Sequence, residues 1–406
     1  MEILSYKQFY SDPVKKESPI SDELTKDCYA VFACRHKFCR EWCPVYVEER
    51  NESYSSYGMH TSVLALAKGQ ANLDEMSQEF IHCLECGQCE LKCPNTMFAG
   101  DFYKYSTTTV DLVRKMRRDL YAEGIKYEGF EDVQKVIDEH QMYDQGPDAD
   151  LTSWAEGLDL PRKGENVLFV DYYNAFQTRE VPIAAAKILK AAKVNISILD
   201  HPAITTGELY ETNLEAWIEG AKRNVKALQE AGAKTVILVN PHEYSYFVKE
   251  YPRYVGTLPF EVVFITDFVN DLIKAGKISF TEEYNKKVTF HDPCSLNKLC
   301  GNFQAPREII AALPGAVAEI EEPVIQWKYC CGNGVSSAFR KALPDVAYKV
   351  STTRLRHAND VGAEVLLVAC PHCKDMFTEA KVKAGINIEP VHILEVVAEA
   401  MGIGRS

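Results

Sequence analysis

The residues with evident chemistry in this 406-residue chain are its fourteen cysteines, and they are gathered in two places. Eight lie within residues 28–93, none falls between 94 and 293, and six lie between 294 and 373. The densest set is "IHCLECGQCELKCPNT", where Cys83, Cys86, Cys89 and Cys93 follow at x2, x2 and x3 spacing with Pro94 behind. Three thiolates so close together wrap one 4Fe–4S cube in a tight turn, and the cysteine before proline usually serves the other cluster of a pair. Gly87 gives the backbone room to approach inorganic sulfide. Structural zinc is the competing use, but zinc sites take separated CxxC pairs. The spacing favours iron and sulfide.

A second set, Cys28, Cys34, Cys39 and Cys43 followed by Pro44, keeps the x3-Cys-Pro ending but opens with wider gaps of x5 and x4. Four cysteines ending in Cys-Pro still read as a cluster site. The competing reading makes Cys28 a buried thiol beside a three-iron cluster or none. If the pair is cross-connected, Cys28, Cys34, Cys39 and Cys93 hold one cube, and Cys83, Cys86, Cys89 and Cys43 hold the other.

The C-terminal cysteines are read through an internal repeat. "VLFVDYY" (167–173) matches "VTFHDPC" (288–294), "ITTG" (204–207) stands opposite "YCCG" (329–332), and "GAKTVILVNPHEYSYF" (232–247) matches "GAEVLLVACPHCKDMF" (362–377) without a gap. Cys294, Cys330, Cys331, Cys370 and Cys373 are replaced in the first copy by Tyr173, Thr205, Thr206, Asn240 and Glu243. Five thiols that vanish together point to one shared metal centre. The residues common to both copies, Asp171/Asp292, Gly207/Gly332, Pro241/Pro371, His242/His372 and Phe247/Phe377, are expected to serve the fold. That reading demotes His372, despite its place in "CPHC". Cys300 has no clear counterpart and reads as a structural thiol, the alternative being a sixth ligand. Neighbouring Cys330 and Cys331 suit a multi-iron centre better than one zinc ion, and Gly332 and Gly334 let their loop pass close to inorganic sulfur.

Elements must bring these residues together. Thirty-nine residues separate Cys43 from Cys83, too many for a compact βαβ ferredoxin. "TSVLALAKGQANLDEMSQEFIH" reads as helix from apolar positions three and four apart, as does "DFYKYSTTTVDLVRKMRRDLYAEG" up to Gly124. An α-helical two-cluster ferredoxin domain is therefore expected over residues 1–150. From about residue 160, strand-like runs alternate with helices, which predicts tandem α/β modules with parallel sheets. The first would be a degenerate module over 151–275 without ligands, the second a ligand-bearing module over 276–406. Arg35, His36, Lys37 and Arg40, and later Arg114, Lys115, Arg117 and Arg118, are expected to be a solvated basic face, the alternative being a docking patch for an acidic partner.

Bulk properties narrow the function. The composition is that of a globular protein, with 46% hydrophobic and 25% charged residues. A net charge of −13 argues against nucleic-acid binding. The N-terminal residues lack a secretory h-region, and no run approaches eighteen apolar residues, so a cytoplasmic protein without a span of its own is expected. Reduced thiols fit that compartment better than a disulfide framework. No GxGxxG follows a strand, and no Ser/His/Asp spacing stands out.

From about residue 25 to 400, the chain resembles the D-type subunit of heterodisulfide reductase, in a group that includes the iron–sulfur subunits of glycolate oxidase and anaerobic glycerol-3-phosphate dehydrogenase. The carrying motifs are "CLECGQCELKCP" and "HDPC … YCCGNG … ACPHC". The resemblance implies two 4Fe–4S clusters in the N-terminal domain, and one further cluster, cubane or non-cubane 4Fe–4S, in the C-terminal CCG module. It also implies an FAD-dependent dehydrogenase as partner. This chain departs from the reductase in its emptied first module and its stretched first motif. Electron relay to a quinone, a disulfide or a membrane-bound acceptor is the expected function, with peripheral attachment to the membrane through partners. A disulfide reductase acting at the CCG cluster is the alternative, and a regulatory sensor of iron or oxygen a third reading.

Overall fold

The computed structural model describes residues 20–34, 36–93, 108–127, 129–130, 150–318, 329–335 and 338–404. Arg35, Pro94 and residues 101–107, all singled out above, lie outside them. The chain divides into two compact units, one ending at Lys126 and one beginning at Tyr127.

The first unit is helical among its described residues: α1 (Asp22–Phe32), α2 (Phe38–Trp42), α3 (Pro44–Glu49), α4 (Ser56–Ala67), α5 (Ser77–Ile81), α6 (Gln88–Lys92) and α7 (Thr109–Ala122). Ser21 caps α1 by accepting from the Leu24 N–H at 3.2 Å, and Thr108 caps α7 by accepting from Asp111 at 3.1 Å. Leu24, Cys28 and Val31 recur at helical spacing on the buried face of α1, which packs against α4. Gly124, at φ +82, follows α7 as expected, and Ile125 closes the turn onto the Leu120 carbonyl. The single helix expected over residues 61–82 is instead two. Gly69 takes φ +63, the Gln70 N–H returns to the Ala65 carbonyl at 2.9 Å, and α4 ends there.

The second unit holds the two repeats. The first runs β1 (Asn166–Phe169), α8 (Tyr172–Phe176), α9 (Glu180–Ala191), β2 (Ile196–Ser197), α10 (Gly207–Thr212), α11 (Leu214–Ala231), β3 (Thr235–Leu238), α12 (Pro241–Ser245), α13 (Tyr251–Tyr254), β4 (Glu261–Phe264) and α14 (Ile265–Lys274). The second runs β5 (Lys287–His291), α15 (Cys294–Asn297), α16 (Gln304–Ala312), β6 (Val317–Ala318), α17 (Ala338–Ala342), α18 (Pro344–Asp360), β7 (Val365–Val368), α19 (Pro371–Ala384), β8 (Glu389–His392) and α20 (Ile393–Ala400). Each copy builds a parallel four-stranded sheet, in the orders β2-β1-β3-β4 and β6-β5-β7-β8. The fourth strand of each sheet had no clear sequence signal. "EVVF" and "EPVH" are four-residue edge strands opening with a glutamate, too short and too polar to stand out.

The two copies share one core. Leu168, Val239 and Phe264 from the first sheet join Val288, Leu367 and Val391 from the second in a single buried cluster. The helix contacts are reciprocal: α9 meets α20 across the junction, and α14 meets α16. This is the pattern of a local two-fold between modules.

Candidate metal centres

In the helical unit, Cys43, Cys83, Cys86 and Cys89 line one cavity of about 30 Å³ together with Tyr54 and Met59. The backbone turns sharply to present them. Glu85 sits at φ +53 and Gly87 at φ +65; a left-handed conformation is easy for glycine but costs a glutamate. Two arginines from α7 hold that glutamate. Arg114 Nε donates to its Oε2 at 2.7 Å and Arg117 Nη1 to its Oε1 at 2.9 Å. Arg117 also donates to the carbonyls of Phe80 at 3.0 Å and Cys83 at 2.5 Å. Arg114 and Arg117 are buried, so the expectation of a solvated face is corrected for these two. They lie on the inner side of α7 beside Val113 and Leu120.

Backbone donors already point at sulfur here. The Glu85 N–H lies 3.3 Å from Cys83 Sγ, while Cys43 Sγ lies 3.7 Å from the Tyr54 carbonyl. Burial raises the Cys43 thiol to about 12 against the help of the Tyr46 and Val45 N–H groups, and raises Cys83 and Cys89 as well. Thiols so desolvated keep their protons unless a cation takes their place, which suits a metal and not a free nucleophile. Cys39 is raised to about 12, first by burial, and its neighbouring thiols are Cys93, Cys43 and Cys34. Cys34, Cys39 and Cys93 thus form a second gathering. Cys28 is fully buried on α1, its thiol raised by burial and then by Asp27.

In the second unit the thiols sit at the C-terminal ends of parallel strands, where open α/β sheets place their sites. Cys294 begins α15 just after β5, and Cys370 precedes Pro371 at the end of β7, with Cys373 in the first turn of α19. Cys330 and Cys331 come in on the loop before α17, through Gly332 at φ +89. A Cβ on Gly332 would lie 2.3 Å from the Ala347 carbonyl oxygen, so only glycine lets this loop lie against α18. Cys331 and Cys373 lie with a ring nitrogen of His291 so that the three donor atoms are all within 4.8 Å of one another. Cys331 is held well below the usual thiol range by hydrogen bonds from Cys330 and Cys373. Burial opposes ionisation of Cys370, but its bonds with Cys373 and His242 bring it down to about 6. Burial first, and then its hydrogen-bonded pairing with Cys331 and Cys370, raise the Cys373 thiol well above the usual range.

The emptied first copy is not hollow. Thr205 and Glu243, at the positions of Cys330 and Cys373, hydrogen-bond at 2.9 Å, and the Tyr251 hydroxyl joins Thr205 at 3.1 Å. Trp217 donates to the Thr205 carbonyl at 3.0 Å amid a buried cluster with Tyr210, Tyr246 and Phe247. Oxygen donors and rings fill the space that thiols occupy in the other copy.

The first copy also reaches into the second. Tyr173 bonds Asp375 and packs its ring against His372, with centroids 3.7 Å apart and planes tilted by 32°, Asn240 Nδ2 lies 3.4 Å from His372 Nε2, and His242 bonds Cys370. Of the residues expected to serve only the fold, Asp171 caps α8 through Asn174, and Asp292 pairs with Arg307 at 2.9 and 2.7 Å. His242 departs from that expectation, since it touches a candidate ligand. His291 was missed altogether, though it stands opposite Val170 in the same repeat alignment. Cys300 lies near Tyr244 of the first copy, whose hydroxyl is raised first by burial and then by its electrostatic interaction with Cys300.

Two family models match separate stretches of the chain. The family described as 4Fe-4S dicluster domain matches residues 20–98, and the cysteine-rich domain family matches residues 288–378. The D-type subunit of the dihydromethanophenazine:CoB–CoM heterodisulfide reductase of Methanosarcina mazei is 27% identical over 391 residues, covering 90% of this chain and 92% of that one. An EtfAB:quinone oxidoreductase of Syntrophomonas wolfei is 30% identical over 256 residues, 58% of this chain and 34% of its own length. The crystal structure of a hypothetical protein from Helicobacter pylori shares the fold, with a TM-score of 0.59 at 10% identity over 98% of this chain and 76% of that one. No described helix is long and apolar enough to cross a membrane. With ferredoxin-type thiols at one end and a cysteine-rich domain at the other, this chain is similar to the D-type subunit of heterodisulfide reductase and is an iron–sulfur chain of the oxidoreductases.

Proposed function

We propose that the chain is the electron-relay subunit of an oxidoreductase complex, placed between an FAD-dependent dehydrogenase and a quinone, disulfide or other acceptor. Its domains would be the ferredoxin domain to residue 150, the emptied module over 151–275 and the ligand-bearing module from 276. The gathering of Cys43 with Cys83, Cys86 and Cys89 around one cavity carries the reading. It supports cross-connected motifs, with those four thiols holding one 4Fe–4S cluster and Cys28, Cys34, Cys39 and Cys93 the other. Cys294, Cys330, Cys331, Cys370 and Cys373 would hold the third. When bound, such clusters supply reversible one-electron carriage at potentials tuned by their surroundings. The residues of this chain do the tuning: they exclude water, fix the sulfurs and aim N–H groups at them.

The name of the Syntrophomonas relative favours a quinone as acceptor, and peripheral attachment to a membrane would follow from that. The second reading is disulfide reduction at the CCG centre, where His242 of the first copy bonds Cys370. Replacing Cys330 and Cys331 together by alanine separates relay from a purely structural third centre. The expected result is loss of transfer to the acceptor, with the N-terminal clusters still reduced by the flavoprotein partner. Unchanged transfer, or disappearance of the N-terminal signals, would overturn the relay.

A further inference from the structure

The third centre has a buried donor that is not a thiol. A ring nitrogen of His291 and the sulfurs of Cys331 and Cys373 all lie within 4.8 Å of one another, and His291 is 1% exposed. It is the last residue of β5, three before Cys294, at the sheet end where the other four cysteines arrive. Phe377 meets its ring edge-on, with centroids 4.9 Å apart and planes at 85°, which limits the ring's rotation.

The emptied copy provides the internal control. It keeps the same strand order and the same Asp-ending strand exit, yet carries Val170 where the second copy has His291. A valine therefore satisfies this fold at this position. His242 and His372, by contrast, occur in both copies with or without thiols. The imidazole at 291 comes and goes with the five cysteines, as a ligand would.

We propose, resting on the third cluster of the proposed relay, that His291 is a protein ligand of that cluster, making it a mixed thiolate–imidazole site. Imidazole suits iron as a ligand. The five cysteines and His291 give this centre six donors. Where the imidazole takes an iron position that one of the five thiolates would otherwise fill, its neutral nitrogen leaves the centre less negative, and histidine-for-cysteine replacement raises the potential of iron–sulfur clusters. The third centre is then tuned upward relative to an all-cysteine one, which favours its role as the electron-accepting end.

The test uses the full chain, isolated without air, with 15N-labelled histidine and 57Fe. Pulsed EPR of the third centre, poised where it is paramagnetic, should show a directly coordinated nitrogen. That coupling should disappear in His291→Val, the residue the emptied copy carries, while both N-terminal signals persist. His291→Cys should retain the cluster at a lower midpoint potential. A third cluster without a coordinated nitrogen, or with one that survives His291→Val, overturns the ligand. A chain whose iron is confined to the N-terminal unit removes the third cluster itself, and with it this proposal.

Discussion

Burial acts on single thiols in a way that gives the iron-free protein a characteristic pH dependence. Cys39 and Cys43 are each raised from about 9 to about 12, first by burial. The folded state therefore keeps protons that the unfolded chain releases above pH 9, and the fold loses stability as pH climbs towards 12. The slope is roughly 1.4 kcal/mol per pH unit for each such group. Denaturant unfolding of the metal-free chain should show stability falling between pH 8 and pH 10, with Cys39 and Cys43 contributing about 1.4 kcal/mol each at pH 10 and Cys28, Cys83 and Cys89, raised likewise, adding to the fall; a flat profile would contradict the burial of these thiols. With iron bound the dependence reverses, because acid then competes with metal for sulfur. The cysteine ligand candidates were legible, since x2-x2-x3 spacing before proline has few uses. His291 was not, because one histidine on a strand carries no spacing signal; only its pairing with Val170 does.

Helix α7 shows how an element hides its purpose in sequence. "VRKMRRDL" reads as a basic surface, and Lys115, partly exposed and paired with Asp119 at 2.5 Å, behaves as one. Arg117 lies four residues after Val113 and three before Leu120, so the same turn-to-turn spacing that marks a core face includes it. Its guanidinium spans the carbonyls before the cluster loop and the carboxylate of Glu85, the residue with the strained φ. Arg117→Met should destabilise the helical unit by about 3–5 kcal/mol, as expected when one partner leaves a buried ion pair. Lys115→Met should cost less than about 1 kcal/mol. Equal losses in denaturant unfolding would show that the Glu85 clamp does not matter. The break in the helix expected over 61–82 has a similar lesson: apolar spacing continues across Gly69, but backbone closure at Gln70 decides where α4 stops.

For the molecule as a whole, the repeat was the most informative feature of the sequence. It foretold two parallel-sheet units, because residues 232–247 and 362–377 align strand to strand and turn to turn without a gap; the structure gives both sheets the same strand order. It did not foretell that the emptied copy would lend Tyr173, Asn240 and His242 to the other, since contacts across a local two-fold leave no local pattern. Nor did it show that one hydrophobic core would serve both copies. The emptied module is thereby a support for its twin. All of this rests on the thiols at both ends holding iron and sulfide. Iron and sulfide analysis with Mössbauer spectroscopy of the anaerobically isolated chain tests that most directly. The expected result is about twelve iron atoms per chain, two thirds of them in cubane-type N-terminal clusters and one third in a distinct C-terminal centre. A colourless protein, or one whose cysteines hold zinc, would contradict it.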